Sequence, residues 1–306
     1  MKVLVAGRSG QLAVELSRAR WPNGTQVIAL GRDRLDIADH DLVARSVADL
    51  DPDIIVNAAA YTAVDRAETD SLTAFAVNQM GALYLASEAA YHDIPIIHVS
   101  TDYVFSGPGQ RPWREDDEPR AISIYGHSKY LGERAVQEAR GQHIIIRTSW
   151  LFAAHGQNFV RTMLRLGADR DSLNVVNDQL GCPTPAADLA QAIADIAAAL
   201  MAGNTCSGLY HYSGKGPVTW FEFAEAIFDL AGELVPRRPS LKPISTAEFG
   251  APAPRPVYSV LDTGKIERDF GIATASWLPG LRSVLDDLRP AAVERASVAA
   301  EIGQQP

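Results

Sequence analysis

Residues 2–13 read KVLVAGRSGQLA, a short apolar run that breaks into a glycine turn and then into a helical pattern. Strand, glycine turn and helix in this order make up the start of a dinucleotide-binding βαβ unit. Gly7 permits the tight turn, and Gly10 lets the backbone approach a pyrophosphate at the N-terminus of the helix, where free N–H groups point outward. The third small residue is Ala13, so the spacing is G-x-x-G-x-x-A. Taken alone, this spacing fits both a dinucleotide site and a purely structural turn.

Strands and helices alternate from this unit to about residue 147. Apolar runs predict strands at residues 2–6, 26–30, 53–56, 94–100 and 142–147, with helices between them. This alternation is typical of an α/β fold with a doubly wound parallel sheet of the Rossmann type. We expect an NAD(P)-binding Rossmann domain over residues 1–147, to which later segments return, and a smaller α/β substrate-binding region mainly over 148–290. From Arg289 the pattern weakens, so residues 291–306 are expected to form a frayed or irregular tail.

The overall composition narrows the class of protein. The chain has 306 residues, 47% of them apolar, and a formal net charge of -9, which argues against non-specific nucleic-acid binding. The two cysteines, Cys182 and Cys206, match no metal-ligand spacing, and a reduced cytoplasmic protein is the simplest interpretation. No apolar run reaches membrane-spanning length, and residues 1–7 are interpreted as a first strand rather than a signal peptide. We therefore expect a cytoplasmic protein with no nucleic-acid partner, no membrane partner and no metal site.

The end of the second predicted strand bears on the choice of nicotinamide cofactor. An acidic residue at this position accepts the ribose hydroxyls of NAD, but here Gly31 is followed by Arg32. This pair suits the 2′-phosphate of NADPH better, and Arg8 in the glycine turn can assist. The alternative is that Arg32 is a solvated loop charge and that Asp33 accepts the hydroxyls. The pattern favours NADPH, with NADH as the second choice.

Tyr125 and Lys129 lie four residues apart, on one face of a predicted helix. A phenol can donate a proton to a developing alkoxide, and an ammonium one turn away stabilises the phenolate and lowers the pKa of the phenol. Thr101 follows a predicted buried strand and can donate a hydrogen bond to the same oxygen, which is an oxyanion-stabilising arrangement. Such groups reduce a carbonyl or oxidise an alcohol. The alternative for the tyrosine and the lysine is an exposed pair on an amphipathic helix.

Other positions near the predicted strand ends also bear on the site. Residues 58–60 are alanines at the carboxyl end of a strand, where small side chains leave room for a ligand. Asn78 lies on an apolar helix and either binds backbone or orients the lysine; we favour a structural role with a functional consequence. His98 lies within an apolar strand and is interpreted as a core histidine. Residues 107–119 form a loop that could cap the site.

The motifs, taken together, resemble a known family. Gly7-x-x-Gly10-Gln11-Leu12, NAAAYTAVD at residues 57–65, STDYVF at 100–105 and YGHSK at 125–129 are similar to those of the extended short-chain dehydrogenase/reductases. More narrowly, RTSW at 147–150, NF at 158–159, NDQLGCPT at 177–184 and RP at 255–256 resemble the dTDP-4-dehydrorhamnose reductase family. The motifs occur in the family's order and cover about residues 1–290.

The resemblance implies a reaction and a set of catalytic roles. NAD(P)H would deliver a hydride to C4 of dTDP-4-dehydro-β-L-rhamnose, the final step of dTDP-β-L-rhamnose biosynthesis. Tyr125 would protonate the resulting oxyanion and Thr101 would hydrogen-bond the same oxygen. Lys129 would hold the nicotinamide ribose. The implied cofactor-binding residues are Gly7, Ser9, Gly10, Gln11, Leu12, Gly31, Arg32, Asp36, Ile37, Ala58, Ala59, Ala60, Tyr61, Val99, Tyr125 and Lys129.

The resemblance also implies a binding site for a nucleotide-sugar substrate. Trp150 would pack on the sugar or the nucleotide, and Asn158 and Arg255 would meet the diphosphate, for which the planar fork of an arginine is suited. The alternatives are a core tryptophan, a helix cap and a surface charge, respectively. The implied substrate-binding residues are Thr101, Asp102, Phe105, Tyr125, Trp150, Asn158 and Arg255.

Three features depart from the family pattern. Ala13 replaces the usual third glycine, and Gly31 stands where an acidic residue can occur. Some members use magnesium and carboxylates at a dimer contact. Glu15 is present here, but residues 187–188 read Ala-Asp, so Mg²⁺ and a homodimer both stay open.

Two other functions compete with the reductase. One is another nucleotide-sugar epimerase or dehydratase, against which the motifs at 148–150 and 178–184 favour the reductase. The other is a non-catalytic NADP-binding regulatory subunit. The intact pair of Tyr125 and Lys129 weighs against that second function.

Overall fold

The computed structural model describes residues 1–107, 109 and 111–302, and the side chains of these residues as far as Arg289. The strands are β1 (Lys2–Ala6), β2 (Gln26–Leu30), β3 (Ile54–Asn57), β4 (Ile96–Thr101), β5 (His143–Thr148), β6 (Leu151–Phe152), β7 (Ser172–Val176), β8 (Leu180–Gly181), β9 (Thr184–Pro185), β10 (Gly208–His211), β11 (Val218–Thr219) and β12 (Ser240–Ile244). The helices are α1 (Gln11–Arg18), α2 (His40–Leu50), α3 (Val64–Ala67), α4 (Ser71–Phe75), α5 (Gly81–Tyr91), α6 (Ile124–Glu138), α7 (Phe159–Asp169), α8 (Ala186–Met201), α9 (Trp220–Ala231), α10 (Thr246–Phe249), α11 (Gly264–Phe270) and α12 (Trp277–Ile302).

A central parallel sheet organises the described residues. Its strand order is β10-β5-β4-β3-β1-β2, and every neighbouring pair is parallel. The chain therefore starts near the middle, runs to one edge at β2 and then returns past β1 to build the other side. The direction changes between β1 and β3, and ligands bind at such a switch point, outside the carboxyl ends of the strands. The predicted doubly wound α/β fold is confirmed.

Apolar residues of the sheet alternate between two buried layers, as expected for a sheet that is covered on both faces. Val3, Val5 and Ile97 point into a layer with α1 and α8. Leu4 and Ile96 point into the opposite layer, with α2 and α5. Because the four inner strands, β1, β3, β4 and β5, are buried on both faces, their carboxyl ends are held rigidly, and the site is built on those ends.

A further apolar cluster lies among the later elements. Val160 on α7, Leu173 on β7, Phe223 on α9 and Leu281 on α12 belong to it. In contrast, β10 joins the central sheet beside β5, so the chain returns to that sheet after residue 147. The division of the chain at residue 147 into two regions remains a prediction.

The strands of the first half, the C-terminal tail and the loop at residues 107–119 were each predicted from the sequence. The strands of the first half lie within two residues of their predicted positions. The tail was expected to be irregular from Arg289, but α12 continues as a helix to Ile302, which suits an alanine-rich segment. In the loop expected to cap the site, Trp113 stacks on Phe105 and bonds to the backbone of Val260. Pro108 and Gln110 of that loop, and residues 303–306 of the tail, lie outside the described residues.

No helix in the described ranges is both long and apolar enough to cross a membrane.

Candidate active site

The glycine turn forms the floor of a crevice at the switch point of the sheet. Gly7 adopts a φ of +111°, in the region that favours glycine, and a Cβ there would lie 3.4 Å from the backbone of Ala58. The end of β1 and the end of β3 thus approach each other closely. Gly10 immediately precedes α1, and a Cβ on it would meet nothing within 4 Å. Since a glycine has no side chain with which to cap a helix, the first N–H groups of α1 remain available to a phosphate. These residues fit a dinucleotide.

Helix α6 carries the predicted catalytic pair. It begins after Ser123, whose side chain accepts a hydrogen bond from the N–H of Gly126 at 3.1 Å. Lys129 is 2% exposed, and its ammonium donates to the carbonyl of Val99 at 2.7 Å. This bond places the ammonium at the end of β4. Tyr125 is partly exposed and lines the same cavity as Lys129.

The pKa of Tyr125 is shifted in the direction opposite to the predicted one. Burial raises the pKa of Tyr125 to about 12, and a hydrogen bond with Thr101 opposes that rise. The sequence predicts that Lys129 lowers the pKa of this phenol. Instead, burial lowers the pKa of the Lys129 ammonium to about 8, while the nearby Glu133 carboxylate opposes that shift. Because the pKa of Tyr125 lies well above 7, as that of an ordinary phenol does, the side chain carries the proton that a donor needs. The rise itself makes the phenol a weaker acid than a solvated one.

Thr101, the last residue of β4, is the third predicted catalytic residue. Its hydroxyl donates to a carboxylate oxygen of Asp102 at 3.0 Å and accepts from the N–H of Tyr103 at 3.2 Å. Asp102 is 2% exposed, and burial raises the pKa of its carboxyl to about 7. The hydroxyl of Thr101 and the phenol of Tyr125 both line the cavity, as the oxyanion arrangement requires.

The cavity at this site has a volume of about 490 Å³. Most of the sequence-predicted site residues line it, namely Gly10, Gln11, Leu12, Ala58, Ala59, Ala60, Val99, Thr101, Asp102, Tyr125, Lys129, Trp150 and Asn158. It is also lined by residues that were not predicted as contacts, namely Thr62, Val64, Ser100, Tyr103, Thr148, Ser149, Leu151, Gln157 and Trp220. The hydroxyl oxygen of Thr148 is buried without a hydrogen-bond partner among the described residues, as expected of a group that serves a ligand.

Phe105 lies among apolar side chains. The residue is completely buried, stacks on Trp113 with ring centroids 4.6 Å apart and packs with Val104 and Leu261. Phe105 therefore packs in the core and does not line the cavity, and its predicted contact with the substrate stays a prediction. The Arg147 guanidinium lies 4.9 Å from the ring centroid, on the same buried ring.

Arg255 also differs from its expected role. Its guanidinium donates to the Asp65 carboxylate at 2.9 Å and to the carbonyl of Ala253 at 3.1 Å. Arg255 does not line the cavity. Its charge is matched by a protein carboxylate in this structure, whereas a diphosphate contact was expected.

Besides Gly7 in the glycine turn and Tyr61, the predicted cofactor residues that do not line the cavity fall into two groups. Ser9, Gly31 and Arg32 lie along the exposed side of the glycine turn and the end of β2. Asp36 accepts a hydrogen bond from the N–H of Ala38 at 3.0 Å, and Ile37 is 3% exposed, within the core layer of α2 and α5. Ile37 thus packs in the core rather than at the cavity wall.

Asn78 has a structural role. Its side chain accepts from the N–H of Tyr61 at 2.8 Å, donates to the carbonyl of the same residue at 3.1 Å and donates to the hydroxyl of Ser128 at 2.9 Å. A π-helical turn, Ala76–Met80, joins α4 to α5 and carries the asparagine. Asn78 therefore positions the Tyr61 backbone and α6 next to Lys129, and does not bond the lysine itself. His98 is buried in β4, with its Nδ1 3.0 Å from the amide nitrogen of Asn57, as a core histidine.

Sequence reasoning missed a buried ion pair. Arg147 on β5 and Glu133 on α6 are each 2% exposed and make two hydrogen bonds, at 2.8 and 2.7 Å. The signal that was available is an arginine inside an otherwise apolar strand, since a buried guanidinium requires a carboxylate partner. Trp220 at the cavity wall was missed for another reason: the start of a helix 70 residues after Trp150 gives no spacing signal.

Metal ligation has little support within the described part of the chain. No group of three or more His, Cys, Asp or Glu side chains there could hold a metal ion. Glu15 and Asp188 line one cleft of about 290 Å³ between α1 and α8, with Arg18 and Gln191. Glu15 lies 3.4 Å from His155 and 3.5 Å from Arg18. The question of Mg²⁺ therefore stays open.

A glycine turn at the switch point of a doubly wound sheet, with a Tyr–Lys pair and a threonine at the adjoining strand ends, defines an extended short-chain dehydrogenase/reductase. The family model described as "RmlD substrate binding domain" matches residues 1–290. dTDP-4-dehydrorhamnose reductase from Sinorhizobium fredii is 44% identical over 287 residues, covering 93% of this chain and 97% of that protein. The protein of the same name from Escherichia coli is 38% identical over 294 residues, covering 94% and 98%. The chain belongs to the dTDP-4-dehydrorhamnose reductase family.

Solved structures agree with this assignment. The crystal structure of dTDP-4-dehydrorhamnose reductase from Bacillus anthracis in complex with NADP superposes with a TM-score of 0.87 at 37% identity, covering 94% of this chain and 99% of that chain. A dTDP-glucose 4,6-dehydratase from Streptomyces venezuelae superposes with a TM-score of 0.80 at 21% identity, which shows the shared fold alone.

Proposed function

We propose that this protein reduces the C4 ketone of dTDP-4-dehydro-β-L-rhamnose to dTDP-β-L-rhamnose with NADPH, the final step of dTDP-rhamnose biosynthesis. The observation that carries the proposal is the meeting of Tyr125, Thr101 and Lys129 in one cavity with the glycine turn at Gly10. Family membership supports the same reaction, since the curated relatives carry the name of this reductase.

The chemistry assigned to the protein is proton donation and charge stabilisation. NADPH, when bound, supplies the hydride that adds to the carbonyl carbon. Tyr125 donates its phenolic proton to the oxygen that becomes negatively charged, and the phenol carries this proton at neutral pH because its pKa lies well above 7. The Thr101 hydroxyl donates to the same oxygen once it turns from Asp102, with which it bonds at 3.0 Å.

Lys129 is assigned to the cofactor ribose and to the field around the phenol. Its ammonium is fixed by the Val99 carbonyl at 2.7 Å, so it does not need to be ordered when the cofactor arrives. A positive charge beside the cavity also stabilises negative charge that develops on the substrate oxygen and on Tyr125. Asn78 and Ser128 support this arrangement from behind, through their bond at 2.9 Å.

The preference for NADPH is assigned to the exposed end of β2. Arg32 is exposed there, and Arg8 of the glycine turn lies 3.6 Å from Asp33, next to Gly31. Two guanidinium groups at this edge suit the 2′-phosphate of the adenosine ribose. The NADP complex of the Bacillus anthracis relative supports the same choice.

The nucleotide-sugar is assigned to the part of the cavity wall that is built by residues after β5. Trp150 and Asn158 both line the cavity there. Asn158 also caps α7 through a bond from the N–H of Arg161 at 3.1 Å, and it donates to the Gln11 side chain at 2.9 Å. The same amide donates to the carbonyl of Ala153 at 2.8 Å, so both of its hydrogens are engaged, and a contact with the diphosphate would replace one of these bonds.

A cytoplasmic location and a homodimer complete the proposal. Cys182 and Cys206 are free thiols, which suits a reducing compartment. The dimer is supported by the family resemblance, and light scattering on the purified protein measures it directly.

The proposed reaction is tested by incubating the purified protein with NADPH and dTDP-4-dehydrorhamnose. The nicotinamide absorbance should fall, and dTDP-rhamnose should appear in equal amount by mass spectrometry. Sugar conversion without net loss of NADPH would indicate an epimerase or dehydratase. NADPH binding with no turnover would indicate a regulatory subunit, and either result would overturn the reductase.

A further inference from the structure

Trp150 holds an unfavourable backbone conformation at the cavity wall. Its φ is +47°, in the left-handed region that a bulky side chain rarely adopts. Such a conformation is strained and persists only where the surroundings enforce it. The residue follows Ser149, whose hydroxyl donates to the carbonyl of Cys182 at 2.7 Å. The segment that carries the strained tryptophan is thereby tied to residues 180–184.

The indole of Trp150 is held by a second indole. Its ring stacks on that of Trp220 with centroids 3.5 Å apart and an angle of 8° between the planes. A parallel stack at this distance leaves no space for another ring between the two. A Cβ on Gly181 would lie 2.6 Å from the Trp150 ring, so glycine is needed at that position. Trp150 is thus held between a stacked partner and a backbone.

Trp220 is itself fixed from two directions. Its indole N–H donates to the side-chain oxygen of Gln179 at 3.1 Å, and the amide of Gln179 donates to Thr246 at 2.9 Å. Gln179 is 3% exposed. In addition, β11 pairs with β8 through Val218 and Gly181, so the strand before Trp220 is joined to the glycine that admits Trp150.

We infer that Trp220 is a positioning residue that presents Trp150 to the nucleotide-sugar, an inference that rests on the proposed function. The two rings line the cavity that holds Tyr125, and Trp220 contacts neither Tyr125 nor the glycine turn in any hydrogen bond of the described residues. A pre-stacked and strained indole loses less freedom when a ligand binds against it than a mobile one does. Gln179 and Gly181 belong to the same arrangement, which gives a physical reason for these two residues in the 177–184 motif.

The inference predicts a separation between substrate binding and chemistry. Trp220→Ala should raise KM for the nucleotide-sugar on the order of tenfold, as expected from the loss of one aromatic stack and of the order it imposes. The KM for NADPH and the kcat at saturating sugar should stay within about threefold of wild type, since the proton donor and the glycine turn are untouched. Trp220→Phe retains a stacking ring and should recover most of the lost affinity. Gly181→Ala should mimic Trp220→Ala, because its Cβ displaces the Trp150 ring.

Trp277→Phe is the matched control. Trp277 belongs to the same apolar cluster, with its ring 5.3 Å from Phe223, but it does not line the cavity. It should lower stability without changing KM for the sugar. A second readout, the quenching of tryptophan fluorescence by dTDP, measures ligand binding without turnover and should weaken in Trp220→Ala.

The outcomes separate the inference from the proposed function. An inactive wild-type protein overturns the function. If the wild type is active, an unchanged sugar KM in Trp220→Ala overturns the inference. It is also overturned if Trp277→Phe raises that KM equally, or if kcat and NADPH binding fall together with sugar binding, because each result assigns Trp220 to general packing.

Discussion

Arg147 and Glu133 form a doubly hydrogen-bonded ion pair in the protein interior, with the Nε and Nη2 of the guanidinium at 2.8 and 2.7 Å from the two carboxylate oxygens. Glu133 lies one helical turn beyond Lys129 on α6, and Arg147 lies on β5. Ser100 at the end of β4 donates to the same carboxylate at 2.5 Å. One carboxylate therefore ties the helix that carries the catalytic pair to the ends of two strands, and its charge opposes the fall in the pKa of Lys129.

Glu133→Gln tests how much this pair stabilises the fold. The variant leaves the guanidinium buried without a counter-charge, and removing one partner of a buried pair typically costs about 3–5 kcal/mol. Urea denaturation followed by circular dichroism measures the loss. Arg120→Gln is the control, because Arg120 and Glu118 form an exposed pair that should contribute little to stability. Similar urea midpoints for Glu133→Gln and Arg120→Gln would show that the buried pair stabilises the fold no more than the exposed pair does.

Tyr125→Phe tests the proton donor. Loss of the hydroxyl should lower kcat by about 10²–10⁴-fold, the usual contribution of general acid catalysis. The dissociation constant for NADPH, measured by fluorescence titration, should change little. Tyr130→Phe on the same helix removes a hydroxyl outside the cavity and should retain activity. Near-wild-type turnover by Tyr125→Phe would assign proton donation to another group.

Gly126→Ala tests the close approach that places α6. A Cβ at this position would lie 2.2 Å from the carbonyl oxygen of Tyr103. Alanine is normally the better residue inside a helix, by roughly 1 kcal/mol, so propensity alone predicts stabilisation. We expect the clash to dominate and to lower both the melting temperature and kcat. In Gly264→Ala, at the start of α11, the nearest atom is a side-chain oxygen of Asp262 at 3.1 Å, and a much smaller change is expected. A more stable Gly126→Ala enzyme would contradict the argument.

Asp102→Asn tests a pH dependence of stability. Burial raises the pKa of Asp102 from 3.8 to about 7, so the folded protein keeps a proton that the unfolded chain releases between these values. The free energy of unfolding should therefore fall as pH rises through this window, with a slope of at most about 1.4 kcal/mol per pH unit from this group. The asparagine variant lacks this dependence. In denaturation curves at pH 4 to 8, the stability of Asp102→Asn relative to the wild type should increase as pH rises. A difference in the free energy of unfolding that stays constant with pH would exclude a buried carboxyl with a raised pKa.

Arg32→Ala tests the preference for NADPH. Removal of the guanidinium should raise KM for NADPH more than KM for NADH, because only NADPH carries the 2′-phosphate. Steady-state kinetics with both cofactors measures the ratio. Arg34→Ala removes a neighbouring exposed charge in the same turn and serves as the control. Equal losses with the two cofactors would assign Arg32 to general loop structure.

The sequence by itself determined the parts of the protein that depend on local spacing. The glycine turn from Gly7 to Gly10, the alternation of strands and helices, and the four-residue step from Tyr125 to Lys129 are set within one or two turns of chain. Since parallel strands end at the same edge of a sheet, the sequence also places Thr101 at the site.

Tertiary structure alone decided which of these residues line the cavity and which serve the fold. Phe105 is taken into the core by Trp113, and Arg255 pairs with a carboxylate 190 positions away in sequence. The stack of Trp150 on Trp220 likewise joins segments that share no local pattern. The spacing of apolar residues in the sequence indicates only whether a side chain is buried. Which partner a buried side chain contacts depends on how elements distant in sequence pack together. That packing decides whether the side chain belongs to the core, forms an ion pair or lines the cavity.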